Sequence, residues 1–233
     1  GIELYQTNRA FRANELYGND QSISKKEFYD YKYDTYYSKE SVMSYARDRF
    51  LREFKTDDPK LINALKILKD WDLGNQKDNT GAAIANLTFK ITYERDDFKY
   101  DIHLLKKRFI ESVNFLISEF GQVDIPLGKL QILKRGDLEL PLDGGPDLLR
   151  AIYGKMQNNR KIATGGDCYF QMVEWDENGN VSAESIHQYG SATLDSTSIY
   201  YNDQAHLFAN KKMKPSIIDF NKLKPYIKKS YTP

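Results

Sequence analysis

With one cysteine, three histidines and a formal charge of +1, this 233-residue chain has little of what several functional classes need. A single Cys168 excludes an internal disulfide and any cysteine-based zinc cluster. His103, His187 and His206 show no i, i+4 spacing, and no H-E-x-x-H motif occurs. They read as surface or hydrogen-bonded histidines, so no metal ligand is assigned. With 34 Lys+Arg against 33 Asp+Glu, nothing electrostatic argues for nucleic acid or an anionic membrane as the main partner. No apolar run approaches the ~20 residues of a membrane helix, so no spanning segment is expected. Glycine and proline, 14 and 7, are too few for a linker-like or disordered chain. An initiator Met and a signal peptide are also lacking at Gly1, which suggests a processed or truncated product.

What is abundant is aromatic surface: 17 Tyr, 12 Phe and 2 Trp. Tyrosine buries a ring yet keeps a hydroxyl that seeks a partner, which suits semi-polar packing surfaces between layers or subunits. An apolar content of 40% is enough for a sizeable core.

The first half reads as helices. Ser24 and Glu27 have capping-box spacing, in which each side chain satisfies the other's orphan backbone amide. After Asp57 and Asp58, Pro59 suits a first helical position. Leu61, Ala64, Leu65, Leu68 and Trp71 then repeat at helical spacing up to Gly74, the expected end. Val42, Ala46, Phe50 and Phe54 predict another helix, as do Leu105, Phe109, Val113, Leu116 and Phe120 before Gly121. Residues 82–93 read two ways, Ala-rich like a helix at the start, then alternating through Leu87, Phe89, Ile91 and Tyr93 like a strand.

After Pro126 the period becomes two, with Leu130 and Ile132, then Leu138, Leu140 and Leu142 on one face. Asn178-Gly179, between Cys168–Trp175 and Val181–Gln188, is the strongest hairpin signal. The tail from Tyr201 reads as helix and then irregular, Lys-rich chain. No flexible linker marks the change near residue 125. The expectation is therefore one α+β unit over 1–233, mainly helical over 1–125 and mainly β with a C-terminal helix over 126–233.

Few residues suggest chemistry. Cys168 reads as a buried small apolar residue rather than a nucleophile, since no histidine is near in sequence to lower its pKa. Gly144-Gly145-Pro146 and Gly165-Gly166-Asp167 match no phosphate or dinucleotide loop and read as tight turns. Asp137 and Glu139 would share one strand face, an ordinary arrangement on a solvated sheet. No self-sufficient catalytic set emerges.

Longer strings carry more. Arg135-Gly136-Asp137-Leu138-Glu139-Leu140-Pro141-Leu142-Asp143-Gly144-Gly145-Pro146-Asp147 comes first, then Gly166-Asp167-Cys168-Tyr169, Tyr189-Gly190-Ser191, and Tyr201-Asn202-Asp203-Gln204 with Leu207-Phe208. Together they resemble the C-terminal segment of the penicillin amidase family, the penicillin and acyl-homoserine-lactone acylases. The start, Thr7-Asn8-Arg9-Ala10-Phe11-Arg12, then Ser24-Lys25-Lys26-Glu27-Phe28, Lys32-Tyr33-Asp34-Thr35 and Ser38, is similar to the segment after the substrate pocket.

The resemblance implies an N-terminal-nucleophile hydrolase of four αββα layers, of which this chain is the C-terminal part of the β subunit. In that family a precursor cleaves itself, and the Ser exposed at the start of the β subunit attacks the amide carbonyl. Its α-amino group, with a pKa of ~8, serves as base, so histidine is not required. Gly1 is not that nucleophile. The serine and the oxyanion Asn are expected upstream, and the chain alone is expected to be inactive. Arg9 matches the arginine that braces the catalytic Asn and the nucleophile's amino end, and is the single site residue carried over. Cys168 stands where Ser is common. Asp203 and Gln204 are expected to cap a following helix.

No cofactor is implied, and calcium ligands of some members fall outside this segment. The implied partners are the upstream part of the precursor and a small N-acylated substrate, in the periplasm or secreted. A non-catalytic binding module or a pseudoenzyme derived from the same family remains the alternative.

Overall fold

The computed structural model describes residues 6–90 and 100–228. Ile91 and Tyr93, half of the alternating pattern noted above, fall outside them. Contacts divide the chain into two compact units, one of residues 1–134 with 139–166, the other of 135–138 with 167–233.

The first unit is mostly helical: α1 (Asn8–Tyr17), α2 (Lys25–Lys32), α3 (Val42–Glu53), α4 (Pro59–Asp70), α5 (Ala82–Phe89) and α6 (Ile102–Phe120). α2 starts at the expected capping box, with both reciprocal hydrogen bonds of Ser24 and Glu27 present. α6 closes at Gly121, whose φ of 79° is the left-handed conformation of a helix C-cap. Residues 82–89 resolve as helix, and Ala82, Ala83, Ile84 and Ala85 are buried. Small side chains there let α5 lie within a core shared with Phe50, Phe109 and Leu116.

Two boundaries differ from expectation. α4 ends at Asp70, not Gly74, and Leu73 rather than the glycine takes the positive φ, 68°. Trp71 leaves the helix because its indole N–H donates to the Gly74 carbonyl at 2.7 Å, while its ring packs against Tyr37. Leu130 is not in a strand but closes a short turn, α7 (Leu127–Leu130).

A four-stranded sheet completes this unit, built from β1 (Gln131–Arg135), β2 (Leu138–Pro141), β3 (Ile152–Gln157) and β4 (Arg160–Gly166) in the order β2-β1-β4-β3. β4 runs parallel to β1 and antiparallel to β3. Asp137 sits in the turn before β2, so it does not share a strand face with Glu139, which instead pairs with Lys134 at 2.6 Å.

In the second unit β5 (Phe170–Trp175) and β6 (Val181–Ile186) form the expected hairpin, closed by Asn178-Gly179. Gly179 takes a φ of 78°, and Asp176 Oδ1 accepts the backbone N–H groups of Asn178 and Asn180 at 2.9 and 2.7 Å. β7 (Lys214–Pro215) adds to the far edge of β6.

Two further expectations are corrected here. Cys168 is exposed, because the strand starts at Phe170 and leaves the cysteine in the preceding connection. α8 (Ala205–Ala209) has no side-chain cap. Gln204 occupies the cap position but is buried, and its Oε1 accepts the His187 N–H at 3.1 Å, so the side chain ties down the end of β6 instead.

Candidate functional site: the start of α1 and the Gly-Gly-Pro-Asp loop

α1 begins where Thr7 accepts the Ala10 N–H on its hydroxyl at 2.8 Å, the ordinary role of an N-cap hydroxyl. Asn8 and Arg9 therefore fall in the first helical turn, whose backbone N–H groups have no partners within the helix. The Asn8 N–H is taken by Asp147 Oδ2 at 2.9 Å, across 139 positions of sequence. A carboxylate here also sits favourably at the positive end of the helix.

Asn8 is buried and makes use of its whole carboxamide. Its Oδ1 accepts the Ser38 N–H at 2.7 Å, and its Nδ2 donates to the carbonyls of Asp147 at 2.9 Å and Tyr36 at 3.4 Å. Arg9 lies beside it, with Nε 3.5 Å from Asp147 Oδ1; the arginine side chain is 35% exposed, the carboxylate 9%.

One turn on, Arg12 grips both oxygens of Asp34 through Nε and Nη2 at 3.0 and 2.8 Å, and Nη1 reaches Glu15 at 2.6 Å. The hydrogen bond to Asp34 is the main reason the Arg12 pKa rises above its ordinary value. Glu15 in turn accepts the hydroxyl of fully buried Ser38 at 2.5 Å.

The loop that supplies Asp147 is held from several sides. Gly144 N–H donates to the Asn75 carbonyl at 2.8 Å, and Gln131 Nε2 to the Gly144 carbonyl at 2.9 Å. Gly144 has a φ of 90°, and a Cβ there would lie 2.4 Å from the Arg150 carbonyl oxygen, so only glycine fits. Arg150 and Asp143 are both buried and pair at 3.5 Å. The Tyr37 hydroxyl donates to the Pro146 carbonyl at 2.9 Å, and burial pushes its pKa far above the usual range. Asp147 itself has a φ of 59°, and its N–H donates to Tyr153 Oη at 3.1 Å.

Chemically, this is a guanidinium fork anchored on a carboxylate at a helix start, fit to hold carbonyl or carboxamide oxygens. The sequence reading names Arg9 as a site residue, and the structure places it against Asp147 and next to buried Asn8, neither of which that reading singled out. Asn8 and Asp147 stand in the strings that carry the family resemblance, yet no spacing rule links residues so far apart. Among the described residues, no three His, Cys, Asp or Glu side chains group as a metal site.

Residues 2–224 match the family model described as penicillin amidase. The chain belongs to the penicillin amidase family. Its fold is similar to that of the thermostable penicillin G acylase from Alcaligenes faecalis in its orthorhombic form, with a TM-score of 0.50 at 12% identity. That match takes in 100% of this chain and 53% of the acylase chain, so this penicillin amidase chain spans about half the length of that relative. The mixed helix and sheet composition is thus an α+β architecture, similar over this chain's length to that acylase. No curated protein matches the chain by sequence.

Proposed function

We propose that this chain is the C-terminal part of a periplasmic or secreted acylase that hydrolyses the amide bond of N-acylated small molecules of the penicillin or acyl-homoserine-lactone type. The reading draws on family membership over residues 2–224. The observation that supports it is the Arg9–Asp147 pair, 3.5 Å apart in the first turn of α1, to which this reading gives the bracing role.

In this reading the upstream part of the precursor supplies the serine, the oxyanion Asn and the acyl pocket. The serine hydroxyl attacks the amide carbonyl while its own α-amino group takes the proton. The tetrahedral intermediate collapses with cleavage of the C–N bond, the amine leaving with the proton from the α-amino group, and water then hydrolyses the acyl-enzyme ester to the carboxylic acid and the free serine. Arg9 acts in support, fixing the oxyanion Asn and the amino terminus with its planar donors.

The test is hydrolysis of a chromogenic N-acyl amide, a penicillin and an N-acyl-homoserine lactone by the complete processed protein. Arg9→Ala is expected to lower kcat roughly 100-fold, the size seen when an oxyanion support is lost. Unchanged turnover in that variant removes Arg9 from the site. Absence of hydrolysis by the unaltered protein with every N-acyl substrate leaves the non-catalytic module in its place.

A further inference from the structure

We propose that Asp147 is a positioning residue for Arg9, setting the orientation of its guanidinium for turnover; the inference rests on the acylase reading above. Every oxygen of Asp147 is turned on the first turn of α1. Oδ2 accepts the Asn8 N–H at 2.9 Å, Oδ1 lies 3.5 Å from Arg9 Nε, and the backbone carbonyl accepts Asn8 Nδ2 at 2.9 Å. An ordinary surface ion pair orients little, because both side chains remain free to move and water screens them. Here the carboxylate side chain is only 9% exposed while Arg9 is 35% exposed, so a largely buried anion faces a cation that is partly open to solvent.

The backbone adds to this. Asp147 is a non-glycine residue at a φ of 59°, a left-handed conformation that persists only where the surroundings hold it. Two buried or half-buried tyrosines do so. Tyr153 Oη accepts the Asp147 N–H at 3.1 Å, and the Tyr37 hydroxyl donates to the preceding Pro146 carbonyl at 2.9 Å. These bonds fix the backbone on both sides of the Pro146–Asp147 peptide, next to the carboxylate that faces Arg9. Loss of this anchor widens the range of rotamers open to Arg9, and in this proposal the added rotamer entropy falls on the chemical step rather than on substrate binding.

The experiment uses the complete processed protein and Asp147→Asn, which keeps the shape, the tolerance of left-handed backbone and an oxygen for the Asn8 N–H, but removes the charge facing Arg9. Loss of positioning is expected to lower kcat about 10-fold with KM within about 2-fold, and to add nothing in an Arg9→Ala background. Tyr153→Phe is the second variant. It leaves the carboxylate in place but frees the Asp147 N–H, and about a 3-fold loss of kcat is expected, again absent in the Arg9→Ala background.

Unchanged kcat in whichever of these variants folds overturns the proposal. So do losses that add to that of Arg9→Ala and track a fall in thermal midpoint, since they indicate a purely structural role. A slow Arg9→Ala enzyme with a fast Asp147→Asn enzyme removes this inference alone. A protein that hydrolyses no N-acyl amide removes the acylase reading and this inference with it.

Discussion

Asn8 is a small polar residue that would be at home on any surface, yet it is 4% exposed and connects three separate stretches of chain. Truncating it leaves the Ser38 N–H, in a residue of 0% exposure, without its acceptor and strips a donor from the Asp147 carbonyl. Buried polar groups left unpaired cost more than the bonds they made, so Asn8→Ala is expected to destabilise the fold by about 2–4 kcal/mol. A shift of the urea midpoint with an unchanged slope checks it; a change within experimental error would mean that water replaces the carboxamide. Arg9, by contrast, has a side chain 35% exposed, and in the proposed reading its substitution should be felt in turnover far more than in stability. The sequence shows neither difference, because burial of a polar side chain depends on partners that no local pattern contains.

At the scale of the element, α6 is held by its aromatic contacts. Phe109 is fully buried, with ring centroids 5.3 Å from Phe50 and 5.6 Å from Phe54, both contributed by α3 and its cap. Phe109→Ala removes the ring and leaves a cavity that three helices cannot fill without moving, for an expected loss of about 3–5 kcal/mol. Its neighbour Ile110 is 38% exposed, and Ile110→Ala is the matched control, with a change of about 0.5 kcal/mol or less. Comparing thermal or chemical denaturation of the two variants tests which face of α6 carries the core. This face is legible beforehand, since Leu105, Phe109, Val113 and Leu116 recur at helical spacing and all prove buried. Helix ends are less legible. α4 stops at Asp70 because the indole of Trp71 finds a carbonyl three residues on, a choice set by packing against Tyr37 and not by the glycine that seemed to end the helix.

On the scale of the whole molecule, the chain matches 53% of the length of an acylase chain, and the acylase reading proposed above assigns the nucleophile and acyl pocket to an upstream part. The 233-residue chain alone is therefore expected to hydrolyse no N-acyl amide. Co-expression with its upstream part should restore hydrolysis, as measured by the release of a chromogenic amine. Turnover by the isolated chain would end the division of labour proposed above.

The amphipathic helices, the capping box at Ser24, the Asn178-Gly179 hairpin and the family strings are all written in the sequence itself. Each depends on residues within a few positions of one another, where hydrogen bonds and side-chain period follow from local geometry. Tertiary structure alone decided that Asp147 meets Asn8 across 139 positions and pairs with Arg9, that Gln204 ties down a strand instead of capping a helix, and that Cys168 faces solvent. These outcomes depend on which surfaces the folded chain brings together, and a buried donor accepts whichever acceptor is then in reach.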